Sequence, residues 1–172
     1  MDKKSSHLAD LSKEDYHRLT GFGGDWRDSW WCDDFLAMMG KKWNLDAIQS
    51  VLDVGCGVGH WGQRLMRHLN TSTHLYGVDA EETWIEGAQK RALKLKIEKQ
   101  TTYLVSHAET LPFEENSMDM VTCQTLLIHV ADMKKVIQEM AKGKKVTYEN
   151  SSLSKREWNE LMTSFGFEDK II

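Results

Sequence analysis

A short apolar segment runs into three alternating glycines at residues 51–59, VLDVGCGVG. A short apolar run bounded by glycine is typical of a buried strand in a parallel sheet. We expect Gly55 to permit a tight turn, Gly57 to let a ligand approach the backbone, and Gly59 to let the next helix begin close to the sheet. The free amides at a helix start favour anionic ligand groups. The segment therefore predicts a strand–loop–helix unit that binds a ligand.

Strand and helix patterns alternate from residue 50 onwards. Between the predicted strands, apolar residues recur at helical spacing, and Asp132 is placed to cap one of the helices. Such alternation predicts an α/β fold, a doubly wound and mostly parallel sheet with helices on both faces. The predicted strands are Ser50–Val54, Thr73–Val78, Thr101–Val105, Met118–Gln124, Lys144–Tyr148 and a last one over Phe167–Ile172.

Residues 1–46 look helical instead. Ser12 can cap a first helix that carries Tyr16, and three glycines between residues 21 and 24 end it. A second helix is expected to bury one apolar face, made of Trp31, Phe35, Met38 and Met39. A chain of 172 residues is long enough for one sizeable core. We therefore expect a single domain over residues 1–172, with a helical N-terminal cap over 1–46 and the α/β core over 47–172.

Charge and cysteine content argue against several classes of protein. The chain has 22 Lys and Arg against 26 Asp and Glu, a formal net charge of −4, which argues against a strongly basic nucleic-acid surface. No apolar run approaches the roughly 20 residues of a membrane helix, and the polar first residues carry no signal-peptide pattern. Three widely spaced cysteines argue against disulfides and zinc. We expect a cytoplasmic protein with no metal, nucleic-acid or membrane partner.

Polar residues stand at the predicted carboxyl ends of the strands, where open α/β sheets bind ligands. They are Asp53, Asp79, the segment at His107, and Gln124. Asp79 comes 20 residues after Gly59, and a carboxylate there can accept hydrogen bonds from both hydroxyls of a ribose. The alternative is an acid that only caps the following helix.

The glycine loop separates two classes of nucleoside-binding protein. A dinucleotide-binding loop reads G-x-G-x-x-G, whereas here His60 holds the sixth position and Gly59 comes one place early. In a dinucleotide-binding loop the acidic Asp53 would also lie near the pyrophosphate, and an acid at this position is foreign to such a loop. An acid there suits a cofactor with a cationic amino-acid end, such as S-adenosylmethionine. An NAD(P)-dependent oxidoreductase is the disfavoured alternative.

Residues 48–141 closely resemble the class I S-adenosylmethionine-dependent methyltransferases, in particular their small-molecule branch. The resemblance is carried in order by VLDVGCGVG, LYGVDAEETWIEGAQ, AETLPFEENSMDMVTCQ and LLIHVADMKKVIQEM. It implies a Rossmann-like fold and a methyltransferase that uses S-adenosyl-L-methionine and releases S-adenosyl-L-homocysteine. The acceptor would be a small molecule, methylated by in-line displacement.

The resemblance also implies roles for individual residues. Asp53 and the glycine loop would face the methionine end of the cofactor, Asp79 would hold the ribose, and the Gln124 carbonyl would meet the amino group. Where the family commonly has an aspartate at the adenine amino group, this chain has His107, whose neutral imidazole can accept the same bond. The implied cofactor-binding residues are Asp53, Gly55, Cys56, Gly57, Gly59, Asp79, Ala80, Trp84, Ile85, His107, Ala108, Glu109 and Gln124.

On the acceptor side the resemblance implies a lid and one candidate catalytic residue. Aromatic residues of the N-terminal segment would cover the site and favour a sulfonium by cation–π attraction, or would only pack that segment onto the core. These are Tyr16, Trp26, Trp30 and Trp31. His129 is the best candidate for a polar group beside the acceptor, the alternative being a histidine that structures its loop.

After residue 140 the chain departs from the family pattern. Only Ala141-Lys142-Gly143 stands where members have a longer turn, and the usual last strand is absent. Either the C-terminal part is shortened in this protein or segments are missing from the given sequence. Because an open sheet edge favours aggregation, we expect missing segments, or a partner or second copy that covers the edge. This departure keeps open a second function, a non-catalytic cofactor-binding subunit or pseudoenzyme.

Overall fold

The computed structural model describes residues 25–144, and at their centre lies a parallel sheet of four strands. The strands are β1 (Ser50–Val54), β2 (His74–Asp79), β3 (Thr101–Val105) and β4 (Met120–Cys123), in the spatial order β3-β2-β1-β4. In register, Val54 lies opposite Val78 on one side and Cys123 on the other. The predicted parallel α/β fold is confirmed.

Four α-helices accompany the strands within this part of the chain. They are α1 (Asp33–Lys42), α2 (His60–Leu65), α3 (Glu82–Leu95) and α4 (Met133–Gly143), and a 3-10 helix over Asp25–Trp30 precedes them. Short 3-10 turns follow at Leu45–Ala47, Met66–His68 and Glu98–Gln100. The predicted cap of α4 is present, because Asp132 Oδ1 accepts a hydrogen bond of 2.9 Å from the Lys135 amide. None of the helices between residues 25 and 144 is long and apolar enough to cross a membrane.

Helices cover both faces of the sheet, because successive side chains of a strand point to opposite sides. On one face Val51 and Leu75 pack with Leu65 of α2, and Tyr103 packs with Ile85 of α3. On the other face Leu52, Val54 and Val78 form a cluster that also contacts Met140 of α4. The sheet is therefore buried on both sides, as its apolar strands require.

The predicted apolar face of α1 is wrong. Phe35 and Met38 are 53% and 61% exposed, whereas Leu36 is 3% exposed, and Trp31 precedes the helix. Leu36 and Gly40 share a face because they are four residues apart. Gly40 approaches Leu45 so closely that a Cβ there would lie 3.3 Å from the Leu45 side chain. A glycine lets α1 lie close on this side, which a count of apolar residues misses.

The order of the strands reverses between β1 and β4, since the chain runs outward from β1 through β2 and β3 and then returns to the other side of β1. Such a switch point opens a crevice at the carboxyl ends of the strands. Beyond β4, Lys144 pairs in parallel with Met118, where the predicted fifth strand begins. The rest of that strand lies outside the described residues. So do the predicted first helix and the predicted strand over Phe167–Ile172.

Candidate functional site

A cavity of about 330 Å³ opens at the carboxyl ends of the strands. Its wall is built by the loops that follow β1, β2, β3 and β4, and by part of the N-terminal 3-10 segment. The cavity thus lies at the switch point of the sheet, where residues far apart in sequence converge.

The glycine loop after β1 forms the floor of this cavity. Gly55, Gly57 and Gly59 have φ angles of +68°, +53° and +84°, in the left-handed region that favours glycine. The amides of Gly55 and Cys56 donate to the Val78 carbonyl, at 2.8 and 2.9 Å, which ties the loop to β2. A Cβ on Gly57 would meet no atom nearer than 3.9 Å, so the backbone there is open to a close approach.

Two other residues of the loop, Gly59 and Cys56, are buried. Gly59 is buried outside the cavity lining, and a Cβ there would lie 2.5 Å from Gln63 Nε2. Gly59 therefore packs tightly against the side chain of Gln63 on α2. Cys56 lies at the cavity wall with its side chain buried, and burial raises the pKa of its thiol. The thiol stays protonated and unreactive.

Asp79 stands at the last position of β2 and lines the cavity. Its Oδ2 accepts from the Gly57 amide at 2.9 Å, and its Oδ1 accepts from the Glu81 amide at 3.1 Å. These bonds fix the carboxylate in one orientation. Each carboxylate oxygen can accept a second hydrogen bond, so the group can still receive two parallel donors.

Asp53 lies deeper, on β1, and is 1% exposed. Its Oδ2 accepts from the Gly62 amide of α2 at 3.1 Å, while its buried Oδ1 has no hydrogen-bond partner within the described residues. Burial raises the pKa of Asp53 to about 7, the charge of Asp79 adds to the rise, and the Gly62 amide opposes it. A cation in the cavity would stabilise the ionised form of this carboxyl.

The loops after β2 and β3 form one side of the cavity. The lining residues that follow β2 are Ala80 and Trp84, and those that follow β3 include His107, Ala108 and Glu109. Ile85 does not line the cavity. Trp84 and Ile85 are neighbours on α3, about 100° apart around the helix axis. Trp84 therefore faces the cavity, and Ile85 packs into the core with Ala88 and Tyr103.

The loop after β4 forms the opposite side. Gln124 and His129 line the cavity, together with Thr125 and Leu126. Thr125 has a φ of +60°, a strained conformation for a β-branched residue. Its hydroxyl donates to the Gln124 carbonyl at 2.6 Å. His129 is solvent-exposed, and its amide donates to the Leu126 carbonyl.

The aromatic residues of the N-terminal segment differ in their position relative to the cavity. Trp31 lines the cavity and packs on Trp61, with ring centroids 5.5 Å apart. Trp30 is 47% exposed and lies outside the lining. Tyr16 and the side chain of Trp26 fall outside the described residues.

Sequence reasoning missed several residues of this region, among them a group of three charged or polar side chains. Arg27 and His60 line the cavity, and Asp28 contacts His60. The sequence signal for His60 is its place directly after Gly59, at the sixth position of the glycine loop. No group of three or more metal-ligating side chains occurs among residues 25–144.

Residues 45–165 match the protein family described as "Methyltransferase domain". The chain belongs to the class I S-adenosylmethionine-dependent methyltransferases. Within this family it is 32% identical over 116 residues to a demethylmenaquinone methyltransferase of Oceanobacillus iheyensis, covering 64% of this chain and 48% of that protein.

Two solved methyltransferase-family structures illustrate the shared fold. The YcgJ protein of Bacillus subtilis superposes with a TM-score of 0.57 at 30% identity, over 66% of this chain and 47% of that one. A S-adenosylmethionine-dependent methyltransferase from Aquifex aeolicus gives a TM-score of 0.65 at 18% identity, over 87% and 86% of the two chains. This chain spans about half the length of the curated relatives that it matches.

The cavity fits the cofactor of this methyltransferase family. An oriented carboxylate (Asp79), an open glycine backbone (Gly57) and a flat aromatic wall (Trp84) are the groups that ribose, methionine backbone and adenine require. The unpartnered Oδ1 of Asp53 adds a buried negative potential beneath the loop.

Proposed function

We propose that this chain transfers a methyl group from S-adenosylmethionine to a small-molecule acceptor. One observation carries the proposal: Asp79 is held by the Gly57 and Glu81 amides and lines the cavity at the strand switch point. Family membership supports it. The core over residues 47–172 and the cap over residues 1–46, forming one domain, are part of the same proposal.

The adenosine half is assigned to the loops after β2 and β3. Asp79 accepts from both ribose hydroxyls, and Ala80 and Trp84 flank the adenine ring. The Ala108 amide meets the ring edge, with His107 accepting from the adenine amino group and Glu109 beside it. Their common position along one side of the cavity supports this arrangement.

The methionine half is assigned to the glycine loop and the loop after β4. The Gln124 carbonyl already accepts from the Thr125 hydroxyl, and a carbonyl has a second lone pair for the amino group of the cofactor. Asp53 lines the cavity but is only 1% exposed, so we assign it an action through its charge. In this low-dielectric position its attraction for a cation is less screened than at the surface.

A bound S-adenosylmethionine supplies a methyl group that is already activated on a sulfonium. The chain therefore has to place an acceptor in line with that methyl and exclude water. Trp31 and Trp61 provide an apolar wall on this side. His129 is the candidate polar group for the acceptor, and it acts as a base only where the acceptor must lose a proton.

For the methyl acceptor we propose only a chemical class, a small molecule. The Oceanobacillus iheyensis relative is named for a quinone precursor, which supports a small molecule rather than a nucleic acid. A cytoplasmic location is also proposed, and the three free thiols, Cys32, Cys56 and Cys123, suit a reducing compartment. A partner or second copy along the sheet edge remains part of the proposal.

Calorimetric titration of the 172-residue chain with S-adenosylmethionine and with NADH tests the cofactor. The chain is then incubated with S-adenosylmethionine and a panel of acceptors that includes demethylated naphthoquinols, and S-adenosylhomocysteine release is followed by mass spectrometry. Binding of S-adenosylmethionine with turnover on an acceptor is the expected result. Binding without turnover on any acceptor would replace the proposal with the non-catalytic subunit. Binding of NADH alone would replace it with an oxidoreductase.

A further inference from the structure

Apolar residues that the sequence predicts for the buried side of α1 lie at the protein surface, and no function assigned so far uses them. Phe35 and Met38 are more than half exposed, and Trp43, at the end of the helix, is 41% exposed. Met39 is partly exposed. These four residues stand at positions i, i+3, i+4 and i+8, which share one face of an α-helix. We call them the outer face of α1.

The other side of α1 is fastened to the core, which fixes the orientation of the helix. Leu36 is buried on that side. Asp33 Oδ2 accepts a hydrogen bond of 2.6 Å from Nη2 of Arg64, and Asp33 Oδ1 lies 3.0 Å from Nε2 of His68. Within residues 25–144 the fold thus leaves the outer face exposed, although large exposed apolar side chains grouped in one patch usually have a contact to make.

The area of the outer face limits what can cover it. An aromatic side chain buries about 150–250 Å², so Phe35, Met38 and Trp43, each about half exposed, present roughly 300 Å² together. A stable protein–protein interface needs about 800 Å² on each partner. The outer face alone is therefore too small for a stable dimer. Shallow insertion of an apolar helix face into a lipid surface has no such requirement.

The charged residues beside the outer face match a lipid surface. Lys42 lies four residues after Met38 and therefore on the same side of the helix, Lys41 precedes it, and both are exposed. Asp34, four residues before Met38, is an exposed acid at the same edge. A lysine stem can lie on apolar surface while its ammonium reaches the headgroups, and Trp and Phe are typical of interfacial helices. Two cations against one acid leave this side of α1 positive, which favours anionic headgroups.

We infer that the outer face of α1 docks this chain on a lipid surface that contains anionic headgroups. Trp31, two residues before α1, lines the cavity, so docking brings the cavity close to the lipid. The expectation of no membrane partner rested on the lack of a spanning segment, and a helix that lies on the surface needs none. The inference goes beyond the proposed function and does not depend on the cofactor.

Sedimentation with lipid vesicles tests the inference on the 172-residue chain. Mixed vesicles of phosphatidylcholine and phosphatidylglycerol are compared with vesicles of phosphatidylcholine alone. We expect the chain to sediment with the mixed vesicles, and more strongly than with the neutral ones. Sedimentation with neither would overturn the inference and leave the proposed methyl transfer intact, because binding of S-adenosylmethionine is measured without lipid.

A double variant, Phe35→Gln with Met38→Gln, separates the outer face from non-specific attraction. It should lose about 10- to 100-fold in affinity for the mixed vesicles, because two half-exposed apolar side chains no longer leave water. Leu93→Gln is the matched control, since Leu93 is 64% exposed on α3, and it should bind as the wild type does. Equal losses in the two variants would overturn the inference. So would a dimer, seen by ultracentrifugation without lipid, that the double variant dissociates.

Lys42→Gln tests the part that charge plays in docking. It should weaken binding to the mixed vesicles by about 5-fold, the effect of one cation near an anionic surface, and leave binding to the neutral vesicles unchanged. Asp34→Asn should strengthen binding to the mixed vesicles for the same reason. If neither substitution changes the affinity for mixed vesicles, the assignment of anionic headgroups is overturned.

Discussion

Asp28 Oδ1 lies 2.9 Å from Nδ1 of His60, the residue directly after the glycine loop. The second oxygen of Asp28 contacts the guanidinium of Arg91 on α3. Burial raises the pKa of Asp28, but hydrogen bonds and charges from His60 and Arg91 outweigh it and hold the pKa below its usual range. Because the ionised carboxylate can only accept, Nδ1 of His60 carries the proton. The pair fastens the N-terminal segment to both helices beside the cavity.

Replacing Asp28 with Asn should destabilise the chain by about 1–3 kcal/mol at neutral pH, since two charge-assisted hydrogen bonds weaken. A carboxyl whose folded pKa is lowered stabilises the fold above its unfolded pKa, and this contribution is lost as the pH falls through the folded pKa. The difference between wild type and Asp28→Asn should therefore be full at pH 7 and shrink below about pH 4. Urea denaturation across this range measures it.

Asp33→Asn is the control for that experiment. Asp33 also fastens the segment, through Arg64 and His68, but its side chain is 47% exposed. Its replacement should cost less than that of Asp28, because exposed ion pairs contribute little. Equal losses in the free energy of unfolding would show that the contact between Asp28 and His60 stabilises the chain no more than the exposed contacts of Asp33.

Asp79→Ala tests the ribose contact. We expect its affinity for S-adenosylmethionine to fall by about 1–3 kcal/mol, because two hydrogen bonds to a charged acceptor are lost. Calorimetry measures the affinity, and circular dichroism establishes that the variant is folded. Glu82→Ala, an exposed acid in the first turn of α3, should bind as the wild type does. A folded Asp79→Ala with unchanged affinity would remove the ribose assignment.

The strands and the glycine loop could be predicted from sequence because their signals are local. The predicted bounds of β1 and β3 agree with the structure, and β2 differs by one residue at each end. β4 is shorter than predicted. Met118 pairs with Lys144 instead, and Gln124 turns to line the cavity.

The contribution of the N-terminal segment could not be predicted in the same way. Asp28 contacts His60 and Arg91, which lie 32 and 63 positions further along the chain. A local sequence pattern does not indicate partners at such separations. Ile85 illustrates a second limit. Helical periodicity groups the residues of a face, but it does not say which face meets the ligand and which meets the core.

Alanine at Gly55 should destabilise the chain more than alanine at Gly57. Both glycines have a left-handed φ, which costs an alanine about 1–2 kcal/mol. At Gly55 the new Cβ would also lie 2.6 Å from Leu126 Cδ1 and 3.1 Å from its Cβ, whereas at Gly57 the nearest atom is 3.9 Å away. Overpacking adds about 1–3 kcal/mol at Gly55 alone. Thermal unfolding compares the two variants, and equal melting temperatures would contradict the contact with Leu126.

The buried carboxyl of Asp53 should make the chain less stable as the pH rises. Its pKa in the folded chain is raised to about 7, against about 3.9 in an unfolded chain. The folded chain therefore holds this proton more tightly, so the free energy of unfolding falls between about pH 4 and pH 7 and then levels off. Asp53→Asn carries no such group. It should be more stable than wild type by roughly 2–4 kcal/mol at pH 8 and by much less at pH 4, as urea denaturation will measure.

The same carboxyl should couple the pH to cofactor binding. A cationic ligand favours ionised Asp53, so wild type should release a proton on binding near pH 7 and bind S-adenosylmethionine more tightly as the pH rises through about 7. Calorimetry in buffers of different ionisation enthalpy measures that proton. In Asp53→Asn the release should vanish and the affinity should fall, while Asp46→Asn, at an exposed position, should retain both. Proton release that persists in Asp53→Asn would assign it to another group, and the charge of Asp53 would then have no part in holding the ligand.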